Sequence, residues 1–310
     1  MTLSDEIKAK ALQLGFDACG IAKAEPLTDD AQVLKNWLNK GFHANMGYLE
    51  NHFDKRTNPQ LLVNGARSVI VVLLNYFPAQ TQPESAPQIA KYAYGKDYHF
   101  IIKNRLRELQ TFIDEQMSNY SMVFCDSAPV LERRWAERAG LGWIGKSGLF
   151  IHPTFGSYCL IGEIITTLQL DYDTPQQEHC GTCTACIKAC PTQALSAYEL
   201  NANRCISYLT IEHRADIADE FTLPMGNRLF GCDICLDACP WNKKAKAHHT
   251  PELQPHEQLF TLDWHSFSRS TFKQLFKQSA LERAGYQKVK KRLDVIIQHF
   301  DNQQKNSATF

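Results

Sequence analysis

Residues 180–191 read Cys180-Gly-Thr-Cys183-Thr-Ala-Cys186-Ile-Lys-Ala-Cys190-Pro191, and this stretch decides the fold of the region around it. Its spacing, C-x2-C-x2-C-x3-C-P, is the one that wraps a [4Fe–4S] cube in bacterial ferredoxins. The first three thiolates reach one cube from a tight loop, and the fourth ligates a second cube. The run therefore predicts a partner run downstream.

The partner run is Cys232-Asp-Ile-Cys235-Leu-Asp-Ala-Cys239-Pro240, and it lacks its first cysteine because Leu229 occupies that position. Each cube needs four thiolates, and Cys205 is the only cysteine between the two runs. The spacing therefore predicts two ligand sets. Cluster one takes Cys180, Cys183, Cys186 and Cys239, and cluster two takes Cys190, Cys205, Cys232 and Cys235.

Zinc and disulfides are the alternatives for these cysteines. Zinc favours four ligands in two C-x2-C pairs and does not need the ferredoxin run. Disulfides suit small secreted domains, whereas this chain has 310 residues and its N-terminus shows no export signal. The three remaining cysteines, Cys19, Cys125 and Cys159, lie in apolar surroundings and are predicted to be core residues.

Composition limits the classes of protein that remain. With 310 residues, 44% of them hydrophobic, the chain can bury the core of two domains or of one large domain with an insert. Lysine plus arginine equal aspartate plus glutamate at 33 each, so nucleic acid would have to bind a local patch. No apolar run approaches the roughly 18 residues of a membrane span, and the cluster cysteines predict a reducing cytoplasm.

Hydrophobic periodicity predicts an α+β layer for residues 1–170, because helices and strands alternate without a regular βαβ rhythm. The predicted helices are 4–14, with Ser4 as a possible cap, 31–39, 46–53, 100–118 and 130–139. The predicted strands are 68–76, 122–125, 148–151 and 158–168. Polar residues 171–179 form a plausible linker to the cysteine region, which gives domains at 1–170, 171–245 and 246–310.

The glycine-rich stretch Gly140-Leu-Gly-Trp-Ile-Gly145-Lys146-Ser147 satisfies both the dinucleotide and the P-loop patterns. Both patterns work only between a strand and a helix, because the helix N-terminus supplies the amides that hold phosphates. Here the preceding segment is helical in pattern and the following one stops at Pro153. A tight glycine turn beside some other ligand is the better interpretation.

Asp126 follows an apolar run and precedes Ser-Ala-Pro, a position typical of an active-site acid facing a cleft. Spacing alone favours a plainer role, as N-cap of the predicted helix 130–139. Further on, residues 269–292 carry eight basic side chains against the single acid Glu282, a net charge of 8 − 1 = +7. Such a segment is either an ordinary solvated helix face or a phosphate-binding surface.

Taken together, the sequence resembles the epoxyqueuosine reductase family, cobalamin-dependent iron–sulfur enzymes of queuosine biosynthesis in tRNA. The resemblance runs from about residue 5 to 245. It is carried by Lys55-Arg56-Thr-Asn-Pro59, Tyr94-Gly-Lys-Asp97-Tyr98-His99, Asp126, Glu137-Arg138-Ala-Gly-Leu-Gly-Trp-Ile-Gly-Lys146, Gly156-Ser157-Tyr158, the eight cluster cysteines and Gly226-Asn-Arg-Leu-Phe-Gly-Cys232.

The resemblance implies a nitroreductase-like cobalamin-binding domain, a bacterial-type ferredoxin module with two [4Fe–4S] clusters, and a short helical C-terminus with possible tRNA contact. It makes Asp126 the proton donor, which reverses the preference for a capping role, and burial is expected to raise the pKa of this carboxyl. The stretches expected around the corrin contain Arg56, Lys146, Ser147, Phe150 and Ser207.

The implied reaction is the reduction of epoxyqueuosine to queuosine at the wobble position of tRNA, with electrons passing through the two clusters to cobalamin. A reduced flavodoxin or ferredoxin is the implied donor, and a cytoplasmic monomer that does not bind membranes is expected. Two alternatives stay open: a corrinoid iron–sulfur reductase acting on an organohalide-like substrate, and a non-catalytic ferredoxin-type electron carrier.

Overall fold

The computed structural model describes residues 1–307. Its α-helices are α1 (Leu3–Gln13), α2 (Thr28–Asn39), α3 (Phe53–Thr57), α4 (Tyr98–Gln116), α5 (Glu132–Arg138), α6 (Ala185–Ala189), α7 (Ile206–Ile211), α8 (Thr222–Met225), α9 (Ile234–Asp237), α10 (Arg269–Phe276), α11 (Ala280–Ala284) and α12 (Tyr286–Ser307). Its strands are β1 (Ala18–Lys23), β2 (Ser68–Asn75), β3 (Gln88–Ile89), β4 (Ser121–Phe124), β5 (Trp143–Ile144), β6 (Phe150–Ile151), β7 (Cys159–Thr166), β8 (Leu195–Ser196), β9 (Glu199–Leu200) and β10 (Arg228–Phe230).

A four-stranded antiparallel sheet in the order β1-β2-β7-β4 organises the first part of the chain. All eight residues of β2 are buried, because core residues cover both faces of the sheet. On one face the sheet packs against α1 and α4, and on the other against α5. The predicted α+β class is confirmed.

Most predicted elements of this layer form within two or three residues of their expected ends, and three details differ. The predicted helix 46–53 is wrong, since this segment holds a 3-10 turn at Gly47–Leu49 and α3 begins only at Phe53. The predicted strand 148–151 shortens to β6. The cap of α1 is Thr2, whose hydroxyl accepts the Asp5 N–H, while Ser4 lies inside the helix.

The cysteine region is joined to this layer without a free linker. The backbone N–H of Asp173 donates to the Ile21 carbonyl at 2.8 Å, and its carboxylate accepts the Ile21 N–H at 2.8 Å and the Lys8 ammonium at 2.7 Å. Residues 171–173 therefore lie along the edge strand β1. Beyond them, α6 packs against α9, which brings the two cysteine runs together.

The C-terminal helices share a core with residues from earlier in the chain. β3 pairs in parallel with β10, and Ile89 and Phe230 of this pair are buried with Phe272, Leu281 and Leu293 from α10, α11 and α12. The C-terminal segment is thus packed onto both preceding regions. Within residues 1–307, no helix is both long and apolar enough to cross a membrane.

Candidate active site and cluster region

Asp126 lies on the loop that leaves β4, at the edge of the central sheet. Its φ is +55°, in the left-handed region that residues other than glycine seldom adopt. Its backbone N–H donates to the carboxylate of Glu132, the first residue of α5. The Lys103 ammonium of α4 donates to the next hydroxyl, Ser127 Oγ, at 2.9 Å. The loop is therefore tied to both neighbouring helices and presents the Asp126 carboxylate outward.

Two side chains from the start of α4, Tyr98 and His99, contact the Asp126 carboxylate, and a third, Asp97, contacts His99. His99 Nε2 lies 2.9 Å from Asp126 Oδ2, and its Nδ1 lies 2.6 Å from Asp97 Oδ1. The Tyr98 hydroxyl donates to the same Asp126 oxygen at 2.9 Å, and the Tyr98 and His99 rings are stacked with centroids 4.2 Å apart. Asp97 is also the N-cap of α4, so the helix start fixes the imidazole ring.

His99 bridges two carboxylates, and this sets the charge of the site. Burial disfavours the imidazolium, but the hydrogen bonds to Asp126 and Asp97 outweigh it and raise the pKa of His99 to about 9. In turn, the hydrogen bond from His99 lowers the pKa of Asp126. The expectation that burial raises the Asp126 pKa is therefore wrong. At neutral pH the site holds one proton on His99, directly against an ionised Asp126.

The capping role for Asp126 is also wrong. The N-cap of α5 is Leu131, which makes no side-chain capping bond, and the Asp126 carboxylate faces α4 instead. Asp97, Tyr98 and His99 belong to the stretches that carry the family resemblance, but the resemblance assigned them no role. The available signal was a capping aspartate followed at once by an aromatic residue and a histidine, which places their side chains at one helix end.

All eleven cysteines are free thiols, so no disulfide competes for the predicted ligands. Seven of the eight predicted ligands fall into two groups of thiols that lie close enough to influence each other's pKa. Besides burial, which raises each of these pKa values, Cys186 is influenced by Cys239 and Cys183. In the second group Cys235 is influenced by Cys232, Cys205 and Cys190. These neighbours agree with three members of the first predicted ligand set and with all four of the second.

The backbone around the thiols suits iron–sulfur ligation. The Ala194 N–H donates to Cys190 Sγ at 3.3 Å, and neighbouring backbone amides oppose the rise that burial causes in the pKa values of Cys205 and Cys232. Amide donors of this kind stabilise thiolates and the clusters they hold. A Cβ at Gly145 would lie 3.2 Å from Cys180 Sγ, so glycine keeps that sulfur accessible. The donor set and its surroundings fit two cubes.

The glycine-rich stretch forms a hairpin between β5 and β6 rather than a phosphate loop. No helix follows it, which confirms that the P-loop pattern is accidental. At its turn the Lys146 ammonium donates to the carbonyls of Gly181 and Cys183, the latter at 3.1 Å. Lys146 therefore clamps the first cysteine loop.

The other residues expected around a corrin differ in the polar groups that they could present to a ligand. Arg56 donates to the Tyr48 carbonyl at 3.2 Å, and its buried Nε has no hydrogen-bond partner among the described residues. Ser147 is half-buried at the hairpin turn. The backbone N–H of Ser207 lies near the Cys205 sulfur and opposes the rise in its pKa that burial causes. The Phe150 ring is only 4% exposed, in the core beneath α5, so it leaves only its backbone for a ligand.

Arg56 and Asp126 belong to the same neighbourhood. Burial and the negative charges of Glu212 and Asp126 raise the pKa of Tyr48, the residue that Arg56 contacts. Arg283 of α11 pairs with Glu212 and helps to lower the pKa of Asp126. The site thus draws on α3, α4, the loop after β4, and the C-terminal helices.

The basic segment 269–292 is largely satisfied within the chain. Lys288 donates to the carbonyls of Ile211 and His213, each at 2.7 Å, and Arg292 is 8% exposed and donates to the carbonyls of Arg228 and Gly226. Lys290 and Lys291 pair with Asp294 and Asp216. The basic side chains of this segment that are exposed without a described hydrogen bond or ion pair are Arg269, Lys273 and Lys277.

Residues 179–242 match the family model described as a 4Fe-4S double cluster binding domain. A double-cluster domain joined to a layer that presents a hydrogen-bonded acid defines an iron–sulfur oxidoreductase. Residues 56–127 match a second family model, described as epoxyqueuosine reductase QueG, DUF1730. The chain is 48% identical to an epoxyqueuosine reductase of Leadbetterella byssophila, over 94% of this chain and 98% of the relative. It therefore belongs to the epoxyqueuosine reductase family, which reduces epoxyqueuosine in queuosine biosynthesis.

Other comparisons agree. An epoxyqueuosine reductase of Cellulophaga algicola is 46% identical, over 94% of this chain and 97% of the relative. An epoxyqueuosine reductase crystallised with an epoxyqueuosine-modified tRNA-Tyr stem loop matches with a TM-score of 0.87 at 30% identity, over 96% of this chain and 81% of that one. A Bacillus subtilis structure, whose catalytic aspartate loop is swung out of the active site, matches with a TM-score of 0.88 at 30% identity, over 96% and 82%. The organohalide and electron-carrier alternatives are not favoured.

Proposed function

We propose that this chain reduces epoxyqueuosine at the wobble position of a tRNA, with Asp126 delivering a proton to the departing oxygen. The observation that carries the proposal is the hydrogen-bonded set of Asp97, His99, Tyr98 and Asp126 at the edge of the sheet. Two solved relatives support it, one bound to a modified tRNA stem loop and one whose catalytic aspartate loop is swung out of the active site.

Reduction of an epoxide to an alkene removes the oxygen as water and consumes two electrons and two protons. An alkoxide is a poor leaving group, so an acid has to protonate the oxygen as the C–O bond breaks. Asp126 is the outermost member of the set, and His99 holds the proton 2.9 Å behind it. We assign the delivery of the proton to Asp126 and its supply to His99.

The eight cysteines are proposed as the cluster ligands in the two sets given by the spacing. The mutual influence of Cys190, Cys205, Cys232 and Cys235, and of Cys186 with Cys239, supports this division. We keep the corresponding domains at 1–170, 171–245 and 246–310, the last with tRNA contact. Because the ligands need reduced thiols, we expect the enzyme to work in the cytoplasm. We further expect that it receives electrons from a flavodoxin or ferredoxin-type donor and that it acts as a monomer.

Cobalamin is proposed as the further cofactor. The buried, unpaired Nε of Arg56 is a donor that suits a polar group of a corrin ring, and Ser147 and Ser207 offer further polar contacts. Lys146 would contact cobalamin from the side of the clusters, and Phe150 would contact it through its backbone alone. When bound, cobalamin would supply a cobalt centre that accepts electrons one at a time and is strongly nucleophilic when reduced.

The first test is anaerobic reconstitution with iron, sulfide and cobalamin, followed by metal analysis and an assay on tRNA carrying epoxyqueuosine. We expect about eight irons per chain, one cobalt, and formation of queuosine. Asp126→Asn should keep both metals and lose turnover by about 10²-fold or more. An Asp126→Asn enzyme with both metals and near-normal turnover would exclude the proton-donor role, and eight irons without cobalt would exclude the cobalamin proposal.

A further inference from the structure

One buried indole N–H, that of Trp143, is not explained by the fold. Trp143 lies on β5, opposite Ile151 of β6, and is only 1% exposed. Its Nε1 has no hydrogen-bond partner among the described residues. A buried tryptophan usually pairs this N–H, and a buried donor that stays unpaired is destabilising. A phenylalanine would fill the same place without that cost, so the N–H points to an acceptor that belongs to a bound group.

The ring of Trp143 lies between the two segments of chain that carry ligands of cluster one. On one side it meets the ring of His179 edge to face, with centroids 4.9 Å apart, and His179 directly precedes Cys180. On the other side it meets Trp241 edge to face, with centroids 4.8 Å apart, and Trp241 follows shortly after Cys239. Both cysteines belong to the predicted set for cluster one, so the indole lies beside that cluster.

The hairpin also brings β5 against the sulfur of Cys180. Gly145 continues the pairing of the hairpin, since its N–H donates to the Leu149 carbonyl at 2.9 Å. Gly145 is two positions after Trp143, so the two residues face the same side of the strand. A Cβ at Gly145 would lie 3.2 Å from Cys180 Sγ. The face of β5 that carries the indole is therefore the face that the Cys180 sulfur approaches.

Other donors at this end of the cysteine loop are already paired. The Lys146 ammonium donates to the carbonyls of Gly181 and Cys183, and the Cys180 N–H donates to the Glu178 carboxylate. Burial, followed by Glu178, raises the pKa of Cys180 to about 11, and the Trp143 side chain is among the groups that oppose this rise. That influence agrees with an indole N–H directed towards the sulfur.

A donor at this place would act on the electron affinity of the cluster. Hydrogen bonds to the sulfurs are one of the factors that set the reduction potential of an iron–sulfur cluster. Reduction makes the sulfurs more negative, so a donor stabilises the reduced form more than the oxidised form. The effect is stronger where water is excluded, and the burial of Trp143 meets this condition.

We propose that the indole N–H of Trp143 donates a hydrogen bond to the Cys180 sulfur of cluster one and thereby raises the reduction potential of that cluster. Trp143 is a positioning residue in this role, because it acts through Cys180 and touches no substrate. The step concerned is a one-electron reduction, in which cluster one gains an electron from the flavodoxin or ferredoxin-type donor and no bond breaks. The inference rests on the proposed ligand set of cluster one.

The reduction potentials of the reconstituted enzyme test the proposal, by EPR-monitored titration with dithionite. Trp143→Phe should still bind about eight irons, and one of its two one-electron reductions should become about tenfold less favourable, a fall of about 59 mV. Trp135→Phe, which trims an equally buried ring on α5, is the matched control and should shift neither reduction. Trp241→Phe trims the other indole of the same aromatic group and should also shift neither.

A second measurement uses the wild-type enzyme and so does not depend on the folding of a variant. Tryptophan labelled with ¹⁵N in the indole ring should give a nitrogen coupling to the reduced cluster in pulsed EPR, and this coupling should persist in Trp241→Phe. Absence of the coupling in the wild type, or its loss in Trp241→Phe, would overturn the proposal. Equal potentials in Trp143→Phe and Trp135→Phe would do the same.

Failure of this inference can be told apart from failure of the proposed function. Normal turnover and unshifted potentials in a Trp143→Phe enzyme with a full complement of iron would remove only the hydrogen bond to Cys180. A wild-type enzyme that does not bind about eight irons would overturn the proposed ligand sets and this inference together.

Discussion

At the scale of single residues, one proton shared between His99 and Asp126 is the centre of the site. The Asp97 carboxylate holds the far side of the imidazole, 2.6 Å from Nδ1, so the ring cannot turn away from Asp126. This is the arrangement by which a carboxylate orients a histidine and stabilises its cation. This differs from a carboxylic acid whose pKa is raised by burial. Here the proton resides on the His99 nitrogen and is transferred to the substrate through the Asp126 carboxylate.

The pH dependence of turnover should therefore follow His99. Because the pKa of His99 is about 9, the pair keeps its proton below that pH, and kcat should fall as pH rises through about 9. In His99→Gln we expect kcat to fall about 10²-fold and the alkaline limb to vanish. Tyr98→Phe, which removes one hydrogen bond from Asp126 and no charge, is the control and should keep the limb. An alkaline limb that persists unchanged in His99→Gln would assign it to another group.

The interaction between His99 and Asp126 should also contribute to the free energy of unfolding. An unperturbed histidine titrates near about 6.5, so the raised pKa of His99 contributes stability that is fully present below about pH 6.5 and is lost as pH rises through about 9. The contribution is at most about 3 kcal/mol, and smaller because Asp126 is 55% exposed. Denaturant unfolding of wild type and His99→Gln should differ most near pH 6 and converge near pH 10. A constant difference across this range would mean that His99 stabilises the fold by packing alone.

The sequence indicates Asp126 but gives no role to its charged partner His99, for a physical reason. The end of an apolar run is a local signal, whereas His99 lies 27 residues away. The approach of His99 to Asp126 depends on the packing of α4 against β4 and β7, which no local pattern contains.

At the scale of elements, the hairpin of β5 and β6 connects the two halves of the molecule. Its glycines permit close approach, since a Cβ at Gly142 would lie 2.1 Å from the Ile151 carbonyl oxygen.

Whether a strand could be predicted depended on how regular its sequence pattern is. The β-branched run of β2 was recognised, whereas β1, Ala-Cys-Gly-Ile-Ala-Lys, was missed because it has one β-branched residue and no alternation.

Lys146 at the turn of this hairpin should matter for retention of cluster one. Lys146→Met removes the hydrogen bonds to the carbonyls of Gly181 and Cys183, which hold the first cysteine loop in place. Charge-assisted bonds of this kind contribute about 1 kcal/mol when partly exposed, so we expect iron release to a chelator to become several-fold faster. Lys188→Met, an exposed change on α6, is the control. Equal release rates in both variants would show that the clamp does not stabilise the loop.

At the scale of the whole molecule, the C-terminal region closes over the start of α4 and so reaches the active site. The Asp97 N–H donates to the Gln278 carbonyl at 2.6 Å, between α10 and α11. Arg283 on α11 influences Asp126 from the same side. A substrate held by this region would therefore lie next to Asp126, as the proposed tRNA contact of residues 246–310 requires.

The tRNA-facing charge should then lie on Lys273 and Lys277 rather than on Lys290 and Lys291. The first two are exposed without a described partner, while the others are neutralised by acids of the chain. Each phosphate contact contributes about 0.7 to 0.9 to the slope of log K against log salt. Lys273→Ala with Lys277→Ala should weaken binding of the modified stem loop and reduce this slope by about 1 to 2. The matched double variant Lys290→Ala with Lys291→Ala should leave the slope unchanged, and the reverse result would place the tRNA along α12 instead.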